Sequence, residues 1–98
     1  MLGNNQMPYE IEYLSDVVSV DIPALPKNLK LTIRRAIEYR LAQDPVGLGK
    51  PLRYSFLGHR RLRVGDYRIV YRIDEHKKRV FIVMIKHRRD VYSYGLRE

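Results

Sequence analysis

The run HRRLRVGDYRIVYRID, residues 59–74, alternates apolar and polar side chains on either side of Gly65-Asp66. Period-two alternation marks strands with one buried face, and glycine first in a two-residue loop suits a type II′ turn. Such a turn fixes register, so no other stretch constrains the fold as tightly. It pairs Val64 with Tyr67, Arg63 with Arg68, Leu62 with Ile69 and Arg61 with Val70. Cross-strand partners share a face. Leu62, Val64, Tyr67, Ile69, Tyr71 and Ile73 therefore form one side, and Arg61, Arg63, Arg68 and Arg72 the other. Like charges directly opposite in a sheet cost roughly 0.2–1 kcal/mol, so a purely structural hairpin has no use for Arg63 facing Arg68.

The third strand-like run, RVFIVMIKH at 79–87, is apolar on both parities, as in a strand covered on both faces. A four-residue connection, Glu75 to Lys78, puts Phe81, Val83, Ile85 and His87 on the arginine side; a five-residue connection flips the strand. Upstream, YEIEYL alternates Tyr9, Ile11 and Tyr13 against Glu10 and Glu12 and predicts a first strand. Ser15 or Asp16 can cap a short helix through Ile22, which Pro23 and Pro26 interrupt. Asn28 can cap a second helix with Leu29, Ile33, Ala36, Ile37 and Leu41 on one face, ended by Asp44-Pro45. VGLGKPLRYSFLG reads as a loop, and the tail RRDVYSYGLRE has no clear period. The order β-α-α-β-β-β predicts a compact α+β domain over residues 9–98. Two helices pack on one face of an antiparallel sheet, after a flexible polar lead-in at residues 1–8.

Length and charge narrow the function. Ninety-eight residues support one modest core. The chain has no cysteine, no apolar run of membrane-spanning length and no signal-peptide pattern in MLGNNQMP, so the cytoplasm is expected. Five basic and six acidic residues precede Lys50 (balance −1); fourteen basic and five acidic follow from there (balance +9). An asymmetry this large favours a polyanionic partner. Guanidinium groups bind phosphate bidentately and stabilise charge developing in phosphoryl transfer. A neighbouring histidine or tyrosine could move a proton or stack on a base.

The segments DPVGLGKPL, RLRVGDYRIVYRID and VMIKHRRDVY, after the YEIEY strand and LPKNLKLTIRRAIEYRLAQDP helix, resemble the RelE/ParE superfamily of type II toxins from about Pro8 to Tyr92. The RelE branch implies a ribosome-dependent mRNA endonuclease in which the RNA 2′-hydroxyl attacks the adjacent phosphate, with no metal or other cofactor. The resemblance places catalytic residues at Arg61, Arg63, Arg68, His87 (or Arg88) and Tyr92. Arg61 and Arg68 would stabilise phosphorane-like charge, and Tyr92 would stack on the nucleotide. Lys50, Arg53, Arg72, Lys77, Lys78, Arg88 and Arg89 are then expected to contact RNA or ribosome. The implied partners are ribosome, mRNA and an acidic, partly disordered antitoxin, with no membrane and with operator DNA reached only through the antitoxin complex. Better-known RelE members carry lysines where Arg61 and Arg63 stand, one of them held to take the 2′-hydroxyl proton. Arginine does not deprotonate in proteins, so either His87 takes over proton transfer, or the ribosome supplies more of the chemistry, or the chain cleaves poorly. The ParE branch, which inhibits DNA gyrase without a nuclease site, is the main rival. A plain nucleic-acid-binding module is a third reading, weakened by the absence of a helix-turn-helix or RNP motif.

Overall fold

The computed structural model describes residues 8–97, so the lead-in read for residues 1–8 lies, apart from Pro8, outside the described residues. The strands are β1 (Glu10–Tyr13), β2 (Lys50–Pro51), β3 (Arg60–Val64), β4 (Tyr67–Asp74) and β5 (Arg79–His87). They form one sheet in the order β1-β5-β4-β3-β2. The hairpin register is the expected one, from Arg60 opposite Tyr71 to Val64 opposite Tyr67. The positive φ of its turn falls on Gly65 (+59°) and not on Asp66, as a type II′ turn requires. The α+β class stands, but the sheet is mixed rather than antiparallel, because β1 runs parallel to β5. Strand direction leaves no mark on an alternating pattern.

One side of the sheet carries the main core. A π-helical turn (Val17–Asp21) and helix α1 (Lys27–Arg35, continuing as a π-helical Ala36–Leu41) lie on it. Val17, Ile33, Ile37 and Leu41 pack there against Leu62, Ile69, Tyr71, Val80 and Ile82. The helix face is the expected one, with Leu29 on its partly buried margin. The cap is not. α1 starts after Pro26, whose extended ψ of 143° ends the preceding turn, and Asn28 sits inside the first turn. The wider turns show as i→i−5 bonds, Ile22 N–H to Val17 O (2.9 Å) and Ala42 N–H to Ile37 O (3.0 Å).

Residues 46–58, read as a loop, hold more structure. Asp44 Oδ1 accepts from Gly47 N (2.9 Å) and caps a single turn, α2 (Pro45–Leu48), with proline at its start. Tyr71 Oη donates to Pro45 O (2.6 Å), and Arg60 Nη2 donates to Val46 O and Gly49 O (2.6 Å each). A Cβ on Gly49 would lie 2.0 Å from Tyr71 Oη, so only glycine fits. This anchoring delivers Lys50 to the sheet directly opposite Arg61.

Candidate nucleic-acid interface

Along β5 the four-residue connection is correct, with Asp74 opposite Arg79 and Arg72 opposite Phe81. A β-bulge then interrupts the ladder: Tyr71 faces Ile82 but Val70 faces Met84, leaving Val83 extra. Beyond it every side chain changes face. Ile85 and His87, expected on the arginine side, instead pair with Ile69 and Tyr67 on the helix side. Lys86 takes their place, directly opposite Arg68. A row of three cations, Arg63, Arg68 and Lys86, thus crosses three adjacent strands on one face. Lys50 and Arg61 begin the next row, which continues through Val70 and Met84. Sequence reasoning missed Lys86, because Val83 and Met84 are both apolar and the bulge between them is silent.

This face is not an open plane of charge. α3 (Arg88–Val91) and the 3₁₀ turn Tyr92–Tyr94 fold back over it, and Val91 and Leu96 join Leu52 and Val70 in a second, smaller core. Phe56, Val83 and Met84 pack around it. The tail's missing period reflects two isolated anchors rather than an amphipathic element. Arg68 retains only 6% of its surface, and its Nη1 donates to Gly65 O (3.1 Å) and Tyr67 O (3.2 Å). Arg63 is exposed and Arg61 half-buried.

Lys86 is held by a buried carboxylate. Where β1 ends, the π-helical turn covers the vacated edge of β5, and Asp21 Oδ2 accepts from Ile85 N (2.9 Å). Asp21 Oδ1 meets Lys86 Nζ at 2.7 Å, and the ammonium also lies 4.9 Å from the Tyr94 ring centre. The Asp21 hydrogen bond lifts the Lys86 pKa above its ordinary value, against the downward pull of desolvation. A raised pKa means that this contribution to stability is complete at neutral pH and is lost only as pH climbs through the lysine range. Lys86 is a fixed cation at pH 7, not a base.

His87 is also accounted for structurally. Its Nδ1 accepts from Arg89 N (3.2 Å) at the start of α3, and its ring packs edge-on to Tyr67 at 5.3 Å. An accepting Nδ1 fixes the neutral tautomer with its proton on Nε2, so that nitrogen is a donor. Arg88 joins the turn end of the hairpin, its N–H donating to Asp66 O (2.7 Å) and its Nε 3.6 Å from Asp66 Oδ1. Arg89 is exposed beside Asp90, and Tyr92 is half-exposed just after the Val91 anchor. Arg72 lies on the same face but stacks on Phe81, 4.2 Å from the ring centre. Lys77 and Lys78 are not brought to the site. They occupy the β4–β5 turn at the far end of the sheet, where Lys78 covers Tyr9, about 20 Å along the strand from Arg68.

Among the described residues no three His, Cys, Asp or Glu side chains gather as a metal site would need, and no helix is long and apolar enough to cross a membrane. The profile of the family described as "ParE toxin of type II toxin-antitoxin system, parDE" matches residues 9–92. Two toxins of Mycobacterium tuberculosis are similar: Toxin RelG, 33% identical over 86 residues (88% of this chain, 98% of the relative), and Toxin RelE, 34% identical over 85 residues (87% of each). Among solved structures, the toxin–antitoxin complex RelBE2 of M. tuberculosis aligns at 30% identity with a TM-score of 0.78, covering 83% of this chain and 99% of the other. The archaeal RelE–RelB complex of Pyrococcus horikoshii aligns at 29% identity with a TM-score of 0.61, covering 84% and 97%.

Proposed function

The chain belongs to the ParE toxin family of type II toxin–antitoxin systems, in the RelE/ParE superfamily, and we propose that it inhibits translation as a ribosome-dependent mRNA endonuclease. The reading rests on the Arg63–Arg68–Lys86 row: three cations paired directly across strands, the middle one buried, in an arrangement that opposes folding. Such a row suits the pentacoordinate phosphorus formed when a 2′-oxygen attacks the adjacent phosphate and the P–O5′ bond breaks. The products are a 2′,3′-cyclic phosphate and a 5′-hydroxyl; the 2′ proton goes to a base, and the 5′-oxygen takes one up. Arg68 and Lys86 would stabilise the transition-state charge, Arg61 and Arg63 would hold flanking phosphates, and Tyr92 would orient the nucleotide. Neither the arginines nor Lys86 release a proton at pH 7, and the cap on Nδ1 occupies the accepting nitrogen of His87. The base is therefore assigned to the ribosome.

The partner is an antitoxin, as in the two toxin–antitoxin complexes that share the fold; an acidic, partly disordered segment suits the basic half, and operator DNA would be reached only through that complex. Action on ribosomes places the protein in the cytoplasm. The family's ParE description favours the rival, gyrase inhibition. Primer extension on a translated reporter mRNA after induction separates the two. Discrete cuts within codons are expected; intact mRNA with gyrase-linked DNA breaks would overturn the nuclease reading.

A further inference from the structure

Between β2 and β3 the chain makes a closed loop. Leu52 N–H donates to His59 O (2.9 Å), Phe56 packs into the second core, and Ser55 Oγ donates to Gly95 O (3.4 Å). Two large side chains of this tied loop are turned outward, Tyr54 and Leu57, and only Tyr54 of the two has a positive φ. Tyr54 is 75% exposed with φ of +56°, in the left-handed region that side-chain-bearing residues rarely adopt. A lone exposed tyrosine is unremarkable. An exposed tyrosine held in a strained backbone is different: glycine or asparagine would sit there at lower cost, and such strain concentrates at ligand sites.

Tyr54 stands in an open cleft of about 980 Å³, the size of a small-ligand site, whose cationic lining is Lys50, Arg53, Arg61 and Arg97. Among the described residues no carboxylate lines it. Lys50 and Arg61 repeat the cross-strand like-charge pairing of the catalytic row. The cleft adjoins that row through Arg61, two residues from Arg63 on the same face of β3 and about 7 Å along the strand. An aromatic face ringed by cations is what unstructured polynucleotides bind: the ring takes a base of any identity and the cations take phosphates. An acidic peptide would use the cations but has no need of the ring.

We propose that this cleft is a nucleotide subsite beside the cleavage row. Tyr54 stacks on a base of the single-stranded RNA flanking the cut phosphate, while Lys50, Arg53 and Arg97 hold the backbone. It rests on the RNA reading of the basic face and extends it by one nucleotide. The test is fluorescence anisotropy of a labelled single-stranded RNA decamer with the full chain and its variants. Tyr54→Phe should bind within about twofold of wild type, and Tyr54→Ala and Tyr54→Gly about tenfold more weakly. Tyr54→Gly should also raise the melting temperature by releasing the left-handed strain, which separates lost binding from lost folding. Undiminished affinity in Tyr54→Ala overturns the subsite, and so does a lower melting temperature in Tyr54→Gly. Weakened capture of a decaglutamate peptide with RNA affinity intact would give the cleft to an antitoxin segment and overturn it as well. If Tyr54→Ala loses RNA affinity while wild type fails to cut mRNA on ribosomes, the subsite stands and the nuclease reading falls.

Discussion

The two faces of the sheet are built to different rules. The helix side buries Ile33, Ile37, Leu41, Ile69, Tyr71, Val80 and Ile82 almost completely, with no charge among them. The other side has a small apolar plug of Leu52, Val70, Val91 and Leu96, set among Lys50, Arg61, Arg63, Arg68 and Lys86. The first arrangement follows from burial alone. The second concentrates like charges where folding would avoid them, and its plug supplies enough packing to keep the cations in register. Opposed demands are thus separated by the thickness of one sheet, and adjacent residues of a strand serve different ends.

Ile69 and Arg68 are the sharpest such pair, neighbours in sequence on opposite faces and both buried. Ile69→Ala should cost about 2–5 kcal/mol of stability in urea denaturation, as core truncations do. Arg68→Ala should cost less, about 1–3 kcal/mol, from carbonyls that lose their donor. Cleavage on programmed ribosomes, at a temperature where both variants are folded, should reverse the order. Arg68→Ala should fall by about 10²–10³, as when a preorganised oxyanion donor is removed, and Ile69→Ala by far less. If the arginine variant is the less stable of the two, or still cleaves normally, the division between faces is wrong.

Arg63→Ala sharpens the comparison from the charged side. Arg63 is exposed, with the like charge of Arg68 directly opposite. Stability should change by no more than about 1 kcal/mol, while cleavage drops at least about tenfold. A mutation that spares the fold and damages function identifies a residue kept for the site. A larger loss of stability would return Arg63 to the structural account.

How far these faces could be read beforehand depended on what leaves a trace in side-chain order. The hairpin was legible because its two-residue turn admits one register, and with it came Arg61, Arg63 and Arg68 on one face. The α1 face was legible because burial repeats with the helix period. The bulge at Val83 was not: two consecutive apolar residues look the same with or without it, yet it moves Lys86 into the row and His87 out. The parallel pairing of β1 was equally hidden, since it depends on where the chain returns and not on what it carries. The tail's two anchors, Val91 and Leu96, are too few and too far apart to form a period, so the basic face looked open where it is plugged. Lys77 and Lys78 show the limit of counting charge, since the sheet's length carries them to its far end.

His87 gives the smallest expected effect and the finest distinction between the faces. Its chemistry suggested a base beside the arginines, but its register puts it beside Tyr67, and its Nδ1 caps α3. If capping is its role, any side chain that accepts from Arg89 N–H should serve. Asparagine is among the best residues for that position, whereas alanine at a cap typically costs about 0.5–2 kcal/mol. His87→Asn should therefore melt close to wild type and cleave within about twofold of its rate, and His87→Ala should melt lower. A base acting in the chemistry would behave otherwise, because asparagine cannot take a proton: its loss would cost about 10²–10⁴ in single-turnover rate with stability intact. That outcome would mean that the capping bond opens on the ribosome to free the ring nitrogen, and would return the proton transfer from the ribosome to this chain.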